Sequence, residues 1–138
     1  MTIVVHHISI TCGNIAECEK FYSLFGFHTQ TQYKDDNVTI LLMALAGSAK
    51  IELFQFATPC KISSTTNYFP NINKLGITHF ALQIPELESM RKQLEEKCIK
   101  CSPILNARLG CFRYFFTADP DGNQIELVEI RPEEFESE

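Results

Sequence analysis

The chain repeats itself, and the repeat limits its fold more tightly than any other feature of the sequence. His7-Ile8-Ser9-Ile10, a histidine followed by apolar, small and apolar residues, returns as His79-Phe80-Ala81-Leu82 at an offset of 72 residues. Ile51-Glu52-Leu53 returns as Ile125-Glu126-Leu127 at an offset of 74 residues. Two similar halves separated by a small insertion satisfy both spacings.

Each half carries one helical stretch after its histidine. Asn14 to Phe25, closed by Gly26, places Ile15, Cys18, Tyr22 and Phe25 on one stripe, and Glu86 to Cys98, after Pro85, does the same with Leu87, Met90 and Leu94. Strand-like runs follow at Phe27 to Tyr33, Val38 to Leu45 and Ala49 to Phe56, then at Ile99 to Cys101, Cys111 to Ala118 and Gln124 to Ile130. Ala46-Gly47-Ser48 and Asp119-Pro120-Asp121-Gly122 supply turns between them. The order is βαβββ written twice. The fold class is therefore α+β, with two tandem βαβββ modules forming a curved mixed sheet around an open cleft and the helices outside. One domain spans 1–138, with modules at 3–56 and 76–130, a linker at 57–75 whose Ser, Thr, Asn and Pro are densest from Thr58 to Lys74, and an acidic tail at 131–138.

Composition removes several function classes. Seventeen acidic and twelve basic residues give a net charge of -5, and Glu129 to Glu138 alone contribute -4, so the body is nearly neutral. No basic face is available for a phosphate backbone, and nucleic acid is excluded as the expected partner. The opening MTIVVHHISI lacks the pattern of a signal peptide, and no apolar run is long enough to span a bilayer. A soluble cytoplasmic protein is expected, with Cys12, Cys18, Cys60, Cys98, Cys101 and Cys111 as reduced thiols.

Strand alternation groups the repeated polar residues. Val5, His7, Ser9 and Thr11 share one side of the first strand, while His6, Ile8 and Ile10 share the other. Ile77, His79, Ala81 and Gln83 likewise oppose Thr78, Phe80, Leu82 and Ile84. Glu52 and Glu126 each lie between aliphatic residues, so they too point away from an apolar row. One exposed histidine or strand glutamate is ordinarily just solvated. Two of each, recurring in register, form a mixed nitrogen and oxygen set suited to a divalent metal: His7, Glu52, His79 and Glu126. Four protein ligands on a six-coordinate ion would leave two positions for vicinal oxygens of a substrate.

HHISI, FYSLFGF, IELFQF, GITHFALQI and FFTADPDGNQIELVE together resemble the vicinal oxygen chelate superfamily, from Ile3 to Ile130. That superfamily includes glyoxalase I, methylmalonyl-CoA epimerase, extradiol dioxygenases, fosfomycin resistance enzymes and bleomycin resistance proteins. The resemblance implies that the metal ligands of its isomerase branch fall on His7, Glu52, His79 and Glu126, with one Zn, Ni, Mn or Co ion per site, and that His6 has a structural role. An acidic Glu52 is similar to glyoxalases; dioxygenases generally use two histidines and one glutamate, and the epimerases usually have Gln there. Small bacterial glyoxalases usually carry Arg four residues after the first histidine and Asn four after the first glutamate, where they help hold glutathione. Thr11 and Phe56 occupy those places, so the resemblance does not extend to glutathione recognition.

The implied chemistry is a lyase or isomerase reaction of the lactoylglutathione-lyase type, moving a proton beside a metal-chelated carbonyl through an enediolate. Glu126 is the first choice of base and Glu52 the second, with His7 and His79 as neutral ligands. The alternatives are a metal-free small-molecule binding protein of the bleomycin-resistance type and an extradiol-type dioxygenase. A homodimer is implied, with each site formed within one chain or exchanged between two. Other features carry less. Cys98-Ile99-Lys100-Cys101 has redox or zinc spacing without a second such pair. Phe54, Phe56 and Phe116 serve the core or line an apolar pocket. Arg108 and Arg113 offer guanidinium groups to solvent or to an anionic substrate group.

Overall fold

The structure, a computed structural model, describes residues 1–60 and 72–131. The chain divides into two units, Met1–Ser63 and Ser64–Glu138. Most of the expected linker and nearly all of the acidic tail lie outside the described residues.

The first unit contains β1 (His7–Thr11), α1 (Ile15–Ser23), β2 (His28–Lys34), β3 (Val38–Ala44) and β4 (Lys50–Phe56). Its sheet has the order β1-β4-β3-β2, with β1 parallel to β4 and the other pairs antiparallel. Helix α1 begins where the Asn14 side chain accepts from the Glu17 N–H at 3.2 Å, and it buries Cys18, Phe21 and Tyr22. The expected stripe is therefore centred slightly differently, with Phe21 inside and Phe25 only half-buried. On the sheet, Ile10, Leu41, Met43, Ile51 and Leu53 complete this core.

The second unit contains β5 (Phe80–Gln83), α2 (Leu87–Glu96), β6 (Leu105–Asn106), β7 (Phe112–Ala118) and β8 (Gln124–Ile130). Its sheet has the order β5-β8-β7-β6, again with only the first pair parallel. Leu87, Leu94, Phe115, Ile125 and Leu127 form the core. Two α helices and two four-stranded mixed sheets thus give the tandem βαβββ, α+β architecture, with no closed barrel among the described residues.

The expected strand at Ile99–Cys101 is a correction. Only Cys101 bridges to Thr117, and the edge strand forms later, at Leu105–Asn106. The carbonyls of Cys101 and Ser102 are taken by Arg91 of α2, at 3.3 and 2.8 Å, and Pro103 has no N–H to donate. Ser102 Oγ instead accepts from the Phe116 N–H at 2.7 Å, while the Ser102 N–H donates to the Phe116 carbonyl at 2.9 Å. A side chain stands in for part of the ladder. Helix α2 also stops earlier than the pattern implies, because Cys98 takes a left-handed φ of 61° and the Ile99 N–H returns to the Leu94 carbonyl at 2.9 Å.

Candidate functional site

Alternation in β1 and β4 sorts the first unit's polar residues. Ile8 and Ile10 face the helix side, Ile10 being buried, whereas His7, Ser9 and Thr11 are exposed on the other side. Ser9 is directly opposite Glu52 in the parallel ladder, so His7 and Glu52 share this face two residues apart in register. His7 Nε2 lies 3.4 Å from Glu52 Oε1, and Ser9 Oγ donates to the same oxygen at 3.0 Å. His6 lies outside β1 and departs from the alternation expected of it. Its ring meets His7 edge-on, and the two Nδ1 atoms are 2.8 Å apart.

The second unit repeats the construction. His79 immediately precedes β5, and Ala81 is opposite Glu126. His79 Nε2 lies 3.0 Å from Glu126 Oε2, while its Nδ1 contacts Thr78 Oγ1 at 2.8 Å. The Phe116 and His79 rings pack nearly perpendicular with centroids 5.0 Å apart, and Phe116 is opposite Glu126 across the antiparallel ladder. Each repeated histidine is therefore gathered with the repeated glutamate of its own unit.

The donor chemistry fits a divalent ion. Two ligands bound about 2.1 Å from one ion and about a right angle apart stand roughly 3 Å from each other. The two pairs, at 3.0 and 3.4 Å, have that spacing, and each combines an imidazole nitrogen with a carboxylate oxygen.

The remaining sequence candidates divide clearly. Phe54 and Phe56 share Glu52's face of β4 and stack with centroids 5.8 Å apart and planes 6° apart. Arg113 is not a solvated surface side chain: it is on the helix side of β7, opposite in facing to Glu126, and only 16% exposed. It binds Glu88 of α2 at 2.6 Å and Glu129 of β8 at 2.7 Å. Those contacts hold both carboxyls below the ordinary carboxylate value, the Arg113 hydrogen bond being the largest cause for each. Arg108 is exposed before β7. Cys98 is exposed, and burial pushes the half-buried Cys101 thiol up, away from the thiolate that redox chemistry needs. Asp119 is buried and spends its carboxylate on the N–H groups of Asp121 and Asn123, both at 2.9 Å, which makes it a turn residue.

Residue identity alone gives Ser9, Thr78 and His6 no role. Position offers the signal: Ser9 is on the face of His7, and His6 and Thr78 each directly precede a repeated histidine.

The family model described as Glyoxalase/Bleomycin resistance protein/Dioxygenase superfamily matches residues 4–127. The chain is 30% identical over 134 residues to the uncharacterized protein YaeR of Escherichia coli (strain K12), covering 91% of this chain and 95% of that protein. The crystal structure of a glyoxalase family protein from Enterococcus faecalis superposes with a TM-score of 0.72 at 26% identity, covering 91% of this chain and 97% of that one. The trypanothione-dependent glyoxalase I of Leishmania major superposes with a TM-score of 0.67 at 18% identity, covering 99% of this chain and 93% of that one. At that identity the last likeness concerns the fold alone.

Proposed function

The chain belongs to the Glyoxalase/Bleomycin resistance protein/Dioxygenase superfamily, and from that premise we propose that it is a divalent-metal-dependent lyase or isomerase that moves a proton next to a chelated carbonyl. His7, Glu52, His79 and Glu126 would together hold one ion, the two pairs coming from one chain or from two chains of a homodimer. The observation that carries this reading is the recurrence of one His–carboxylate pair at equivalent points of both modules, at 3.4 and 3.0 Å. When bound, such an ion supplies Lewis-acid stabilisation of charge on a chelated oxygen, worth several kcal/mol.

The chain's own residues do the rest. His7 and His79 would present Nε2 as neutral donors. Glu126 would accept and return the migrating proton; its side chain is 13% exposed, against 26% for Glu52, so a proton it holds is better shielded from exchange with solvent. Phe54 and Phe56, on the face of Glu52, favour an apolar group on the substrate, and Thr11 and Phe56, standing where small bacterial glyoxalases usually carry Arg and Asn, favour adducts other than glutathione's.

Glu126→Gln tests the reading. Turnover of hemithioacetals of methylglyoxal with glutathione and with small neutral thiols should fall by roughly 10² to 10⁴, while bound metal, measured by elemental analysis, falls far less because Gln keeps an oxygen donor. If the metal-loaded wild type turns over no such adduct or 2-substituted acyl thioester, yet binds a planar aromatic ligand equally with and without metal, the binding-protein alternative replaces this one.

A further inference from the structure

His6 and Thr78 occupy the same position in the two modules, each directly before the repeated histidine. Both touch that histidine at the same atom. His6 Nδ1 lies 2.8 Å from His7 Nδ1, and Thr78 Oγ1 lies 2.8 Å from His79 Nδ1. In both units the other ring nitrogen, Nε2, is the one turned toward the carboxylate. An imidazole engaged at Nδ1 cannot flip without losing that bond, so the preceding residue fixes which nitrogen faces the glutamate.

We propose that His6 and Thr78 are positioning residues that hold His7 and His79 by Nδ1 and so reserve Nε2 for the metal; this rests on the metal-site reading above. The chemistry of the two partners suits the task. With no ion present, the Glu126 carboxylate accepts from His79 Nε2–H, and Nδ1 must then accept from the Thr78 hydroxyl. With Nε2 bound to an ion, the ring proton sits on Nδ1 and must be accepted. A hydroxyl serves both arrangements by rotating, and the imidazole of His6 serves both by changing which of its nitrogens carries the proton. Two unlike side chains thus share one capacity, to give or take a proton-bearing bond at a single point. A backbone carbonyl could only accept.

The test uses the full chain with zinc as the probe. Thr78→Val and His6→Ala should each weaken zinc binding by about 10- to 100-fold, the range for removing an outer partner of a metal-bound histidine. Thr78→Ser and His6→Asn, which can still both donate and accept, should restore most of it. Thermal unfolding of the metal-free variants checks that the fold survives. Long-range nitrogen–proton NMR reads the ring directly: His79 should carry its proton on Nε2 without zinc and on Nδ1 with it. An affinity change below about threefold in both variants, no rescue by Ser or Asn, or zinc on Nδ1 would each overturn the proposal. If wild-type protein binds no zinc, the metal-site reading fails instead. The zinc-free spectra then still decide whether Thr78→Val and His6→Ala release the Nδ1 contacts, and unchanged Nδ1 signals would end this inference too.

Discussion

The two halves fix the start of their helices with the same device made from different residues. In the first unit the Gln55 side chain, three residues after Glu52, accepts from the Ile15 N–H at 2.8 Å. In the second the Glu129 carboxylate, three residues after Glu126, accepts from the Leu87 N–H at 3.1 Å. A neutral amide needs nothing more, and the cross-strand neighbour of Gln55 is the uncharged Thr39. A carboxylate that is only 16% exposed needs a counter-charge, and its cross-strand neighbour is Arg113, which also reaches Glu88 on the helix. The contrast shows one charge change on a repeated scaffold drawing in others around it. The helix starts differ as well, since Asn14 caps α1 with its side chain and Glu86 makes no such bond to α2.

The largest expected effect comes from removing the counter-charge. Arg113→Met should destabilise the protein by about 2 kcal/mol, seen as a fall in Tm of roughly 6 to 10 °C; a shift under about 2 °C would show that Glu129 needs no partner. The same variant should flatten the acid limb of stability. Arg113 lowers the Glu129 carboxyl below its ordinary value of 4.5 in the folded chain. The stabilisation is therefore complete above that value and lost as pH falls through the lowered one. Chemical denaturation at several acidic pH values should show wild type losing more stability than Arg113→Met.

Gln55→Ala probes the neutral version and should cost about 1 kcal/mol, the worth of a helix-end bond with no charge behind it. The urea midpoint measures it, and a loss as large as that of Arg113→Met would erase the distinction between the halves. The smallest effect is a gain. Glu86→Asn gives α2 the cap that Asn14 gives α1 and should stabilise by about 0.5 kcal/mol, visible as a slightly higher urea midpoint; a loss would mean that the φ of -140° at Glu86 does not accommodate the cap.

Much of this was legible because repetition and alternation are local properties. The bounds of β8 match the run Gln124 to Ile130, and the facing of Glu52 and Glu126 follows from their buried neighbours Ile51, Leu53, Ile125 and Leu127. What escaped depends on contacts between elements distant in sequence. Arg91 takes the carbonyls of Cys101 and Ser102, at and just past the end of the run Ile99–Cys101, and nothing within that run announces it. Arg113 has the face that alternation gives it, but its role depends on Glu88, 25 residues earlier. His6 escaped for the opposite reason, because the strand begins one residue too late for alternation to govern it.

The order β1-β4-β3-β2 has a kinetic side as well. Strands β2, β3 and β4 follow one another as antiparallel neighbours joined by short turns, so their pairing closes small loops. Strand β1 is chain-first but must pair with β4, bringing Ser9 to Glu52 across 43 residues. Loop-closure entropy predicts the sequence of events: the meander should assemble first and β1 dock onto it afterwards, as β5 should onto β8. Pulse-labelled hydrogen exchange should find the amides of β1 protected after those of β3. Each histidine, carried by or adjoining a late-docking strand, then reaches its glutamate only once the sheet that carries the glutamate already exists.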